Sequence, residues 1–114
     1  MLLAALPALA GFAALLASAR SAFAADTATN IAQVSIRDYK FTPALLTVKV
    51  GTTVRWINHE RRTTHSVLFT GPGGFESERF FPDESWQRRF DQPGRYPYSC
   101  GPHPEMSGLV VVTP

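Results

Sequence analysis

One stretch near the C-terminus, Cys100-Gly101-Pro102-His103-Pro104-Glu105-Met106, carries a thiol, an imidazole and a thioether within a single short loop. A Cys and a His three positions apart across a tight turn can reach one ion, and a Met three positions further on can approach it from a second side. Pro102 and Pro104 stiffen the loop, since each fixes its own φ. Soft thiolate and thioether donors together with imidazole select copper. Two imidazoles and one thiolate in a trigonal plane, with a distant axial Met, is the arrangement of electron-transfer copper. That arrangement requires a second histidine. The chain has three His in all, so the choice lies between His59 and His65. His65 opens an alternating apolar segment with Val67 and Phe69, which places it at the end of a core strand. His59 lies in the polar run Asn58-His59-Glu60-Arg61-Arg62, where a solvated loop histidine is the ordinary expectation. His65 is the better candidate.

Taken singly, each of these residues has a plainer explanation. A lone Cys100 is most often a small core hydrophobe, His103 between two prolines suits a surface loop, and Met106 suits a gap at the rim of a core. Their coincidence at a strand-turn-strand junction, with a further His at another strand end, favours a metal site. Zinc is the chemical rival, because a Cys and a His this close could also serve it. Thioether is a poor zinc ligand, and structural zinc would want a fourth His or Cys that the chain does not clearly supply. Copper is the stronger assignment.

The elements that must position these groups are short strands. Nine Pro and eight Gly in 114 residues demand frequent turns, which suits many strands better than long helices. Apolar residues recur at spacing two: Val34 with Ile36, Leu46 with Val48 and Val50, Val54 with Trp56, and His65 with Val67 and Phe69. The turn Gly51-Thr52 predicts a hairpin between the second and third of these. Trp86, Arg88 and Phe90 fit a half-buried strand. Tyr96, Tyr98 and Cys100 share one parity after Gly94, so the thiol faces inward at a strand's end. Gly108 to Thr113, with Leu109 and Val111 alternating, reads as the closing strand. These make an all-β Greek-key sandwich or barrel of seven to eight strands.

The N-terminus is different in kind. Leu2 to Ala19 is an uncharged run rich in Ala and Leu that closes on small residues, and it reads as a secretory signal, with cleavage expected after Ala24. Residues 25–114 are then the folded domain, exported and without stable membrane insertion. An exported domain of this size commonly staples itself with paired cysteines, but Cys100 is the only cysteine and cannot form an internal disulfide. A formal net charge of +2 is too slight to indicate nucleic-acid binding.

The segments Thr53-Val54-Arg55-Trp56-Ile57-Asn58, His65-Ser66-Val67 and Tyr98-Ser99-Cys100-Gly101-Pro102-His103-Pro104-Glu105-Met106, followed by Gly108-Leu109-Val110-Val111-Val112, resemble the type 1 copper proteins, or cupredoxins. The short spacing of Cys, His and Met is most similar to that of amicyanins. The resemblance implies His65, Cys100 and His103 as equatorial ligands of one copper ion and Met106 as the axial one. It also implies a monomeric periplasmic electron carrier, not an enzyme, serving transient redox partners such as a c-type cytochrome or a periplasmic dehydrogenase. The electron port is then the His103 edge, in an apolar patch with Pro102, Pro104 and one of Phe75, Phe80 or Phe81. One position departs from the family pattern: the residue after the first ligand, often an Asn that ties the two ligand loops together, is Ser66. A copper-binding protein for handling or delivery is the alternative function, although the chain lacks the Met-rich or His-rich tracts that such proteins often carry.

Overall fold

The structure, a computed structural model, describes residues 30–114. The expected export signal at 1–24 and its cleavage point lie outside the described residues. Among the described residues no helix is long and apolar enough to cross a membrane.

Eight strands are formed among these residues: β1 (Ile31–Arg37), β2 (Lys40–Thr42), β3 (Leu45–Lys49), β4 (Thr52–Asn58), β5 (Leu68–Phe69), β6 (Ser85–Phe90), β7 (Gly94–Ser99) and β8 (Ser107–Thr113). They make two four-stranded sheets, in the orders β2-β1-β4-β6 and β3-β8-β7-β5. Two pairings, β1 with β4 and β3 with β8, are parallel, and the rest are antiparallel. The period-two pattern explains the two layers, because each strand turns one face of apolar side chains toward the other sheet. Val34, Ile36, Val54, Trp56 and Phe90 come from one sheet and Val48, Phe69, Tyr98, Val110 and Val112 from the other. Trp56 is fully buried and meets Tyr98 edge-on at 5.4 Å, with Trp86 at 5.6 Å and Phe69 at 6.2 Å between ring centroids. Burial pushes the Tyr98 phenol up to about 12.

One expectation from the sequence fails here, and one face is newly resolved. The Gly51 turn does not make a hairpin: β3 pairs with β8 and β4 with β1 and β6, so the turn carries the chain from one sheet to the other. Val50 N–H donates to Thr113 O at 2.8 Å and Gly51 N–H to Phe90 O at 2.7 Å, one bond to each sheet. Two alternating runs around a glycine suit a corner as well as a hairpin, because both leave the apolar faces turned to one core. In β8 it is Val110 and Val112 that face the core, while Leu109 and Val111 are half-buried on the opposite face. A run in which every residue is apolar carries no parity signal of its own, and pairing with β3 and β7 decides it.

Candidate metal centre

Two separate segments converge at one end of the sandwich. Cys100 directly follows β7 and Met106 directly precedes β8, so the antiparallel β7–β8 pair brings both ends of the loop 100–106 together. Within the loop, His103 N–H donates to Cys100 O at 3.3 Å, Met106 N–H to His103 O at 2.9 Å, and Cys100 N–H back to Met106 O at 3.2 Å. These bonds close two successive turns and hold Cys100, His103 and Met106 in one fixed loop. His65 arrives from the connection between β4 and β5. Its backbone exchanges hydrogen bonds with Phe80, N–H to O at 3.2 Å and O from N–H at 3.0 Å.

Cys100 Sγ lies 3.5 Å from His65 Nδ1 and 3.6 Å from His103 Nδ1, and the three donor atoms all fall within 4.8 Å of one another. His65 and Cys100 are completely buried, Met106 nearly so, and His103 is half-buried. First-row ions bind imidazole nitrogen at about 2.0–2.1 Å and thiolate at about 2.3 Å. Each observed Sγ–Nδ1 separation is shorter than the sum of those bonds, so an ion on the thiol can reach either imidazole nitrogen, and the three donors are close enough together to form one site. Two nitrogens, one thiolate and a buried thioether in the same loop suit copper rather than zinc. His59, by contrast, is exposed and lines a groove of about 780 Å³ with Arg37, Arg61 and Arg62.

The groups around the donors fix their orientation. His65 Nε2 donates to Glu60 Oε2 at 3.0 Å, which leaves the Nδ1 lone pair facing Cys100. The same carboxylate accepts from the N–H groups of Asp38 at 3.2 Å and Tyr39 at 2.9 Å. Those two residues form the β1–β2 turn, both with positive φ, 54° and 57°. Burial works to raise the Glu60 carboxyl, but the hydrogen bonds from Tyr39, His65 and Asp38 outweigh it and hold the group below its usual range. Burial lowers the His65 imidazole against the opposing pull of Glu60. It raises the Cys100 thiol, a shift opposed by hydrogen bonds from Ser66 and His103 and by the charge of Arg79. Upstream, buried Asn58 donates from Nδ2 to Thr63 O at 2.8 Å and Phe80 O at 3.1 Å, and accepts from Glu60 N–H at 2.9 Å. It thereby shapes the connection that delivers both Glu60 and His65.

Ser66 links the two donor loops: its N–H points at Cys100 Sγ at 3.4 Å and its Oγ accepts from Gly101 N–H at 3.0 Å. The aromatic ring against His103 is Tyr39, edge-on at 4.8 Å, which also meets His65 at 5.7 Å. None of the expected phenylalanines takes that position. Phe75 packs on Phe69 at 5.2 Å, Phe80 is buried and bridged to His65 through the backbone, and Phe81 stands exposed. Sequence reasoning missed Tyr39 and Glu60. Neither carries a local signal, since Tyr39 reads as a turn residue and Glu60 as part of a solvated run.

Two packed sheets thus carry, at one end, the buried donors His65 and Cys100 beside the half-buried His103, the donor set of a cupredoxin-type metal protein. Residues 7–112 match the cupredoxin-like domain family, and the chain belongs to it. Within that family it is similar to amicyanins. It is 36% identical over 93 residues to the amicyanin of Paracoccus versutus, spanning 78% of this chain and 70% of that one. It is 36% identical over 111 residues to amicyanin-alpha of Methylorubrum extorquens, spanning 92% of each. Among solved structures, the reduced Cu(I) form of an amicyanin variant at pH 4 matches with a TM-score of 0.69 at 35% identity, covering 79% of this chain and 89% of that one.

Proposed function

We propose that this protein is a periplasmic blue-copper electron carrier in which His65 Nδ1, Cys100 Sγ, His103 Nδ1 and the Met106 thioether would hold one copper ion. The observation that carries the reading is the convergence of a buried thiol on two imidazole nitrogens at 3.5 and 3.6 Å. Similarity to amicyanins, one of them solved in its Cu(I) form, supports copper and electron transfer. When bound, the ion supplies a one-electron Cu(II)/Cu(I) couple.

The chain's own residues keep that couple fast and confined. Low reorganisation needs donors that stay in place when the charge changes. The turns of the 100–106 loop, the Glu60 clamp on His65 and the Ser66 tie between the loops provide that rigidity. Burial of Cys100 and Met106 excludes water from the sulfur donors. His103 is the half-buried ligand, and with Tyr39, itself 47% exposed, it forms the surface through which an electron passes. With Met106 added to the three clustered donors, a bound ion would be held by four side chains, which suits electron transfer rather than turnover of a substrate. Its partners are transient redox proteins, a c-type cytochrome or a periplasmic dehydrogenase, reached as a monomer after export directed by residues 1–24.

Voltammetry of the copper-loaded protein tests this function. A reversible one-electron wave at one potential is the expected result. Copper that exchanges readily with a chelator and gives no reversible wave would overturn the carrier role in favour of copper handling.

A further inference from the structure

We propose that Glu76 is a positioning residue of the metal centre, acting through Ser66 to lock the His65 segment against the Cys100 loop; this rests on the copper-carrier reading above. Ser66 directly follows one expected ligand and Gly101 directly follows another. The Ser66 side chain is completely buried, and a hydroxyl offers one proton and two lone pairs. Its Oγ lies 2.7 Å from Glu76 Oε2 and 3.0 Å from Gly101 N. An amide N–H can only donate, and a carboxylate can only accept. The roles are therefore assigned: Ser66 gives its proton to Glu76 and takes the proton of Gly101. The carboxylate removes the rotational freedom of the hydroxyl and, through a charge-assisted bond, makes its oxygen a better acceptor.

Two further observations fit this role. A Cβ built on Gly101 would fall on the Glu76 carboxylate and within 2.8 Å of Ser66 Oγ, so the ligand loop has a glycine where the carboxylate packs against it. The segment carrying Glu76 is also laced to the one carrying Ser66. Leu68 and Glu76 form an antiparallel bridge, Ser77 N–H donates to Val67 O at 2.9 Å, and Val67 N–H donates to Ser77 Oγ at 2.9 Å. Glu76 thus reaches the centre from a fixed backbone. The link between the two loops is thereby divided between a short hydroxyl and a carboxylate from another segment.

The test is the electron self-exchange rate of the copper-loaded protein, read from NMR line broadening in mixtures of its oxidised and reduced forms. Glu76→Ala is expected to slow exchange about tenfold, the low end of outer-shell effects. Glu76→Gln, whose amide oxygen still accepts, is expected to recover most of that loss. In a Ser66→Ala background, Glu76→Ala is expected to have no further effect. Equal losses in both backgrounds, no loss in either, or a Gln variant as slow as the Ala variant would overturn the proposal. Visible absorption of each variant reports whether the centre has assembled. A wild-type protein with no thiolate-to-copper absorption would instead refute the carrier reading itself.

Discussion

His65 is held by a carboxylate that also clamps the β1–β2 turn, so one residue of the polar connection after β4 sets both the tautomer of a donor and the position of Tyr39. This has a measurable consequence in the copper-free protein. Burial holds the His65 imidazole below its ordinary 6.5. Below about pH 6.5 the unfolded chain therefore takes up a proton that the folded protein refuses, and stability falls as the pH drops toward the folded value. Glu60 acts in the same direction at lower pH. Burial would raise its carboxyl, but its hydrogen bonds hold it below 4.5, so its contribution is present above that pH and lost as the pH falls through the folded value. One such group changes stability by at most about 1.4 kcal/mol per pH unit. Urea unfolding of the copper-free protein is expected to show a midpoint that declines steadily from pH 7 to pH 4. A midpoint flat across that range would contradict the buried, neutral His65.

At the level of elements, β8 decides which valines fill the core. Val110 and Val112 point inward, and Val111 lies on the half-buried opposite face. Val110→Thr places a hydroxyl in an apolar layer and is expected to cost about 1–3 kcal/mol. Val111→Thr is expected to stay within about 0.5 kcal/mol. Thermal or urea unfolding of the two variants checks the register, and equal costs would contradict it. The same strand shows why some of the fold was hidden in the sequence. Val34, Ile36 and Val54 alternate with polar neighbours and so announce their face, but a wholly apolar run does not. The corner at Gly51 was equally illegible, because the partner of β3 is β8, far along the chain, and nothing near residue 51 encodes it. The candidate donors were more legible than the strands. Cys100, His103 and Met106 lie in one loop, and His65 opens an alternating segment, so their residue types and spacing were visible without tertiary structure. Tyr39, Glu60 and Glu76 were not. Tyr39 reaches the site through the Glu60 clamp on its turn, and Glu76 through a bridge to Leu68.

At the scale of the whole described domain, the two sheets enclose one core and the candidate donors gather at one end. A single cysteine fits that division of labour. The sandwich is held by apolar packing around Trp56 rather than by a disulfide, which leaves the thiol at 100 free for the metal. His103, half-buried beside Tyr39, is the candidate donor nearest the surface, while His65, Cys100 and Met106 are enclosed. The central claim is that one copper ion binds through the Cys100 thiolate with His65 and His103. The visible spectrum of the Cu(II)-loaded protein tests it most directly. An intense blue thiolate-to-copper band, abolished in Cys100→Ser, is the predicted result; a colourless Cu(II) complex, or a band that survives Cys100→Ser, would contradict it.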